Sequence, residues 1–193
     1  MEWKKGAIAT LQKYTTIQII DKIAEPDQIN PKPCPEIYPH IRDEVLGDGN
    51  CGFRALSKQI TGTEFNHAAI RAALVQFMCI SCEGLSSPPL IMTQTYPSMD
   101  NYIETTHMDK PCTWITEIEL HYIAPLLQIT IATYLTYGNQ RRCVILNPIL
   151  KVTQGMMSTK DHHLHLYHNS AGNHYDRVVL KVFFHENRQF HSQ

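Results

Sequence analysis

The chain has 193 residues, of which 43% are hydrophobic. That is enough to bury one core and too few to make a second full domain the expectation. Its 17 basic and 18 acidic residues nearly cancel, which excludes a global field that would hold it on nucleic acid or an anionic membrane, and no uncharged apolar run approaches the roughly 18 residues needed to span a bilayer.

The N-terminus, Met1-Glu2-Trp3-Lys4-Lys5, leads into a mixed polar segment rather than the apolar stretch of a signal peptide. Six cysteines, at positions 34, 51, 79, 82, 112 and 143, are spread along the chain. Without a secretory signal they read as reduced thiols. The expectation is a soluble, cytoplasmic protein, in the host cytosol if the source is a virus or an intracellular bacterium.

Trp3, Ala7, Leu11 and Tyr14 recur at helical spacing and predict an amphipathic helix packed on the domain. The β-branched run TTIQII after it argues against extending that helix. Five of the eleven prolines then fall between Pro26 and Pro39, and the stretch reads as an extended connection. Phe53, Leu56 and Ile60 next recur at helical spacing, so a helix opens near Cys51, directly after the loop Leu46-Gly47-Asp48-Gly49-Asn50.

Asn66 is placed to cap a further helix with the stripe Ile70, Ala73, Leu74 and Phe77, ending near Gly84. Ser86 to Pro97 reads as a loop and Tyr102 to Met108 as a short helix. Thr116 followed by Glu119 is a capping-box pattern opening another helix, which Pro125 should kink or end.

Beyond it the period changes. Ile129, Ile131, Thr133 and Leu135 alternate, Cys143 to Leu146 reads as a short buried strand, Leu164 and Leu166 alternate with histidines, and Tyr175 to Leu180 is strand-like. Helices first and strands afterwards imply an α+β domain, with helices packed around a small, mainly antiparallel sheet. We divide the chain into an N-terminal helix with a proline-rich extension (1–40), a catalytic domain (41–185) and a C-terminal tail (186–193).

Two segments carry chemistry. A thiol attacks a carbonyl as thiolate, and a helix N-terminus favours the thiolate through its unpaired N–H groups and dipole. Asp48-Gly49-Asn50-Cys51 puts Cys51 there. Attack on an amide also creates an oxyanion that needs preorganised N–H donors, and a glycine-containing turn entering a helix exposes such donors. Taken alone, a free cysteine is more often a small buried hydrophobe.

The second segment is Asn173-His174-Tyr175-Asp176. Alternation on a strand puts His174 and Asp176 on one face, their Cα atoms roughly 6–7 Å apart. A carboxylate can then orient the imidazole and stabilise its protonated form. A surface pair on a strand is the plain alternative. Asp48, in the nucleophile loop, competes with Asp176 for the carboxylate role, and Asn173 is a weaker third candidate.

Taken together, GDGNCGFRALS from Gly47 to Ser57 and NHYDRVV from Asn173 to Val179 resemble the two signature blocks of the ovarian-tumour (OTU) family of papain-like cysteine proteases. HAAIRAALVQFM, from His67 to Met78, resembles the helix that follows the family's nucleophile. Trp114 to Leu120, with the strand Ile129 to Tyr134, resembles its central block. The resemblance implies an OTU-type fold with Cys51 as nucleophile, His174 as general base and Asp176 as the residue orienting it. It also implies an oxyanion hole built from the loop Asp48, Gly49 and Asn50 with the Cys51 N–H.

The substrate implied is ubiquitin or polyubiquitin, with ubiquitin-like modifiers as variants, cut at its C-terminus through a thioester by a monomer. That chemistry requires no metal or organic cofactor. Two positions depart from the pattern. Gly52 stands where many members carry a larger apolar residue, and Ile115-Thr116 stands where a Gly-Gly pair often follows the tryptophan. Two other readings stay open: a protease that processes a viral or mobile-element polyprotein, and a ubiquitin-binding module with weak turnover.

Two motifs are set aside. Cys79-Ile80-Ser81-Cys82 has no second pair at ligand spacing. His162, His163, His165 and His168 read as a solvated strand edge rather than a metal site.

Overall fold

The computed structural model describes residues 2–20, 42–81, 95–137, 140–147, 163–169 and 171–178. The proline-rich stretch, Cys34, Cys82, His162, most of the Ser86–Pro97 segment and the C-terminal tail lie outside the described residues.

Helix α1 (Glu2–Gln12) turns Ala7 and Leu11 into the same core that the later helices share. It ends at Gln12, two residues short of Tyr14 in the predicted stripe. The Gln12 side chain donates to the carbonyls of Thr15 and Ile17 and accepts from the Ile19 N–H, so it satisfies backbone groups that a continuing helix would have paired. Asn66 then receives the Ile20 N–H and donates to the Ile20 carbonyl, both at 2.8 Å, which seats this segment on the domain. The predicted cap role for Asn66 is therefore corrected. Its side chain is spent on Ile20 and on the Thr61 hydroxyl, while the residue itself closes a 3₁₀ turn (Glu64–Asn66).

Helix α2 (Cys51–Thr61) buries Phe53, Leu56 and Ile60 completely and ends on Gly62, whose φ of 75° makes the left-handed exit natural for glycine. Helix α3 (His67–Ser81) follows, with Cys79 exposed on it. Helix α4 (Met99–Thr106) begins three residues before the predicted Tyr102, because Ser98 accepts the Asn101 N–H as its cap.

Helix α5 (Glu117–Leu127) opens on the predicted capping box. Thr116 accepts from the Ile118 N–H, and the Glu119 carboxylate takes the Thr116 N–H at 2.6 Å. Glu119 is fully buried and also accepts the Tyr102 hydroxyl, joining α4 to α5. Pro125 sits in the last turn, and the helix ends two residues beyond it.

The strands β1 (Arg42–Asp43), β2 (Thr130–Tyr137), β3 (Gln140–Leu146), β4 (His163–Asn169) and β5 (His174–Val178) form one sheet in the order β1-β5-β4-β2-β3. Only β2 and β4 run parallel; the other neighbours are antiparallel. The α+β architecture is thus the one expected.

The strand order corrects two sequence readings. β4 is the middle strand, so His163 and His165 are buried rather than lying on a solvated edge. His165 stacks on Tyr134 and receives its hydroxyl contact at 3.3 Å. β3 is the outer strand, so Cys143 to Leu146 is half-exposed rather than buried. Periodicity reports which residues share a face and not which strand lies inside the sheet.

Candidate active site

The nucleophile candidate is the first residue of α2. Cys51 is 3% exposed, and the Tyr175 N–H points at its sulfur from 3.4 Å. Its neighbour in sequence at the start of β5, His174, lies at the same end of the sheet, half-exposed.

His174 and Asp176 share one face of β5 as the two-residue spacing requires, with Nε2 2.9 Å from Asp176 Oδ1. A carboxylate only accepts, so Nε2 is the protonated nitrogen and Nδ1 is left with a lone pair. That Nδ1 faces the nucleophile loop: a Cβ placed on Gly47 would stand 3.5 Å from it. Asp176 is 3% exposed and also takes the Val45 N–H at 3.3 Å. The buried carboxylate is thereby held by both the histidine and the chain that leads into the loop.

Asp48, the competing carboxylate, is engaged elsewhere. Arg54, one turn into α2, grips it through Nε at 3.1 Å and a terminal nitrogen at 2.6 Å. The guanidinium holds the Asp48 carboxyl well below the usual carboxylate range, and the amide of Asn50 adds to this. Of the two carboxylates, Asp176 is the one bonded to His174. Asn173, the third candidate, stands at φ 45° and accepts at Oδ1 from the neighbouring His168.

The expected oxyanion loop is built by residues whose part the sequence did not disclose. Asn50 occupies the N-cap position of α2, yet its side chain makes no cap bond. It is turned away, accepting the Cys112 N–H at 2.8 Å and an Arg71 nitrogen at 3.0 Å. The Asn50 N–H is itself taken by Asp48. Because no side chain caps α2, the first-turn amides beginning with Cys51 keep their hydrogen-bonding capacity.

Arg71 is buried at 4% exposure. It donates to the carbonyls of Met108 and Thr113 as well as to Asn50, and lies 4.1 Å above the Phe53 ring. Desolvation pulls its pKa down to about 10, which leaves it charged at neutral pH. A single buried cation thus ties the segment 108–113 to the nucleophile loop. A lone arginine on an apolar helix stripe was the available signal.

Gly49 and Gly52, which flank the Asn50-Cys51 pair, are required by Cys112 and Ile115. Gly49 has φ 82°, and a Cβ on it would lie 2.5 Å from the Cys112 carbonyl oxygen. A Cβ on Gly52 would lie 1.9 Å from Ile115 Cγ2. The two departures noted at positions 52 and 115 are therefore two sides of one contact.

A cavity of about 200 Å³ has walls that include Ile115, Leu120, Thr133, Leu135, His168 and Tyr175, the residue whose N–H points at Cys51. Two buried atoms among these residues, Thr133 Oγ1 and His168 Nδ1, have no hydrogen-bond partner. His168 stacks on Tyr175 at 4.2 Å, and burial pushes its imidazole below the usual histidine range. Among the described residues, no group of three or more His, Cys, Asp or Glu is arranged to hold a metal ion, and no helix is long and apolar enough to cross a membrane.

A family model described as OTU-like cysteine protease matches residues 46–175, a span that holds Cys51 and His174 and stops one residue before Asp176. No curated protein sequence matches significantly. Among solved structures, the OTU domain of OTUD1 is similar at a TM-score of 0.56 and 19% identity, over 72% of this chain and 85% of that one. The viral OTU protease of Dera Ghazi Khan virus has a TM-score of 0.55 and 19% identity, over 74% and 81%. The Hazara virus OTU, solved bound to ubiquitin, has a TM-score of 0.53 and 20% identity, over 74% and 82%. At these identities the likeness is one of fold.

Proposed function

The chain belongs to the OTU-like cysteine protease family, and from that premise we propose that it is a deubiquitinase, hydrolysing the bond that joins the C-terminal glycine of ubiquitin to a lysine amine. The observation that carries the reading is the convergence at one sheet end of the Cys51 sulfur against the Tyr175 N–H and the His174–Asp176 bond. Ubiquitin as the substrate is supported by the family and by the ubiquitin-bound relative of like fold.

In this mechanism His174 Nδ1 takes the Cys51 proton while Nε2–H stays on Asp176, whose negative charge stabilises the imidazolium. The thiolate attacks the glycine carbonyl. The Gly49 N–H of the loop and the first-turn amides of α2, beginning with Cys51, receive the oxyanion. The C–N bond breaks as His174 returns its proton to the departing amine, leaving a thioester on Cys51. Water, deprotonated by His174, then hydrolyses the thioester and frees the thiol.

Asp48 has a structural part in this scheme. Its pairing with Arg54 shapes the loop, and the orienting role belongs to Asp176.

The test is a ubiquitin carrying a C-terminal electrophile. Wild type should form a covalent adduct one ubiquitin heavier, Cys51→Ala should form none, and His174→Ala should label far more slowly. Absence of an adduct with wild type removes the deubiquitinase reading. Diubiquitins of each linkage, incubated with the labelling-competent protein, then define which chains are cut.

A further inference from the structure

Strand β1 is two residues long and lies at the edge of the sheet, paired with β5 only through Arg42–Val178 and Asp43–Arg177. A ladder so short contributes no more than the few hydrogen bonds it makes. Residues 43–46 are nevertheless each held by a side chain, and most of the groups that hold them come from α2 or from the 3₁₀ turn that follows it.

Lys58 is the centre of that grip. Four residues after Arg54 on α2, its ammonium donates to Asp43 Oδ1 at 2.6 Å and to the Glu44 carbonyl at 3.0 Å, and it lies 3.6 Å from the Glu64 carboxylate. Arg177 on β5 donates to the other oxygen of Asp43 at 3.2 Å. Glu64 accepts the Leu46 N–H at 3.2 Å and stands 3.9 Å from Arg54, which holds Asp48. The turn bearing Glu64 is itself tied to α2, because the Ser57 hydroxyl accepts the Asn66 N–H at 3.2 Å. Asp48, Arg54, Glu64, Lys58, Asp43 and Arg177 thus form one connected set of alternating charges, all partly buried. An isolated exposed pair contributes little, whereas such a set can fix the geometry of the backbone it joins.

The set closes on the site. Between Glu44, held by Lys58, and Leu46, held by Glu64, stands Val45, whose N–H donates to Asp176 Oδ1, the same oxygen that is bonded to His174. Gly47 follows, against the His174 ring. Cys51 is the first residue of the helix that carries Lys58. One helix therefore bears the nucleophile at its start and, about two turns later, the cation that fixes the strand beside the acid and the base.

We infer that Lys58 is a positioning residue for the reaction: by binding Asp43 and the Glu44 carbonyl to α2, it sets where the Val45 N–H, and with it the His174–Asp176 pair, stands relative to Cys51. The inference rests on Cys51 and His174 acting together, as in the proposed function. It does not require that the substrate be ubiquitin.

The test therefore uses a small electrophile alongside ubiquitin substrates. Wild type, Lys58→Met, Lys58→Arg, Asp43→Asn, the double variant Lys58→Met/Asp43→Asn and His174→Ala are compared in the full chain. Alkylation by iodoacetamide, a small neutral reagent, is followed at the Cys51 peptide by mass spectrometry, with the exposed Cys79 as internal reference. Lys58→Met should slow Cys51 relative to Cys79 about tenfold, well inside the hundredfold that a misplacement of about 1 Å can cost. Lys58→Arg should restore most of the rate. The double variant should be no slower than the slower single one, since both changes remove the same contact. Where wild type cleaves a ubiquitin substrate, the loss in Lys58→Met should fall on kcat, with KM within about twofold.

Thermal unfolding separates position from stability. Lys58→Met should lower the midpoint by no more than about 4 °C, because a single partly exposed cation is removed. A Cys51 alkylation rate in Lys58→Met within about twofold of wild type overturns the positioning role. Losses in the two single variants that multiply in the double variant overturn it as well, and so does a loss that falls on KM with kcat unchanged. If His174→Ala is alkylated at Cys51 as fast as wild type, the shared premise falls and the role of Lys58 with it. If the electrophilic ubiquitin fails to label wild type while the alkylation rates shift as expected, the deubiquitinase reading falls and the role of Lys58 stands.

Discussion

On β5, His174 and Asp176 meet because they are two residues apart on one strand, whereas the turn carrying Cys51 is shaped by groups from its own helix and from two other segments. Arg54 holds Asp48, Arg71 and Cys112 hold Asn50, and Ile115 fills the space above Gly52. The first arrangement is local and follows from the pleat alone. The second exists only when α2, α3 and the segment 107–116 are packed together. Damage to the strand pair should therefore appear in the chemistry with the fold intact, and damage to the brackets of the turn should appear in stability first.

The largest effect expected is at the point where the two regions meet. Cys51→Ala should abolish turnover, a loss of roughly 10⁴-fold or more in kcat/KM, with the unfolding midpoint little changed. A stable, active Cys51→Ala protein would break the comparison by removing the nucleophile from it.

Arg71→Ala comes next. It deletes a buried cation and removes a donor from the carbonyls of Met108 and Thr113 and from Asn50 Oδ1, which keeps the Cys112 N–H. The expected destabilisation is about 2–4 kcal/mol by denaturant unfolding. Arg71→Lys should recover only part of it, because an ammonium cannot span three acceptors in the guanidinium plane. Equal stability of the Lys variant and wild type would show that charge alone, and not the fork, holds the segment.

Asp176→Ala should sharpen the contrast. Loss of a charge-assisted hydrogen bond worth about 1.5–3 kcal/mol translates into a fall of about ten- to a hundredfold in kcat. The accompanying readout is the unfolding midpoint, which should fall far less than the activity. Asp48→Asn should lower kcat much less than Asp176→Ala. If instead Asp48→Asn lowers it more, the orienting role passes to the nucleophile loop.

The smallest effect is the stability of Asp48→Asn itself, about 0.5–1 kcal/mol for a partly exposed ion pair. Its sign with pH follows from the direction of the shift. The folded carboxyl is held below its ordinary value by Arg54, so the stabilisation is fully present above that ordinary value of about 4 and fades as the pH falls further. Unfolding of wild type and variant should therefore differ at neutral pH and converge in strong acid.

What was legible in the sequence divides along the same line. Cys51 at a helix start, the His174–Asp176 spacing and the Thr116–Glu119 box are patterns within a few residues, and each is present in the structure as geometry. Asn50 read only as part of the oxyanion loop. Its actual partners, Cys112 and Arg71, are 62 and 21 residues away, and no local pattern encodes such contacts. His163 and His165 looked solvated because histidine alternating with leucine resembles a half-exposed strand, yet the sheet order encloses β4. The exchange between Gly52 and Ile115 was visible only as two separate oddities, since volume shared across 63 positions leaves no trace in spacing.

The Tyr175 N–H that points at Cys51 Sγ belongs to a residue 124 positions further along the chain, and the Val45 N–H reaches Asp176 across 131. Contacts of such separation close late, after the loop entropy between them has been overcome. During synthesis the thiol of Cys51 is made long before His174 and Asp176 exist, and β5 must join β4 and β1 before the three can meet. The meeting of Cys51 with the His174–Asp176 pair is thus a property of the finished sheet, and a nascent or partly unfolded chain carries the cysteine without them.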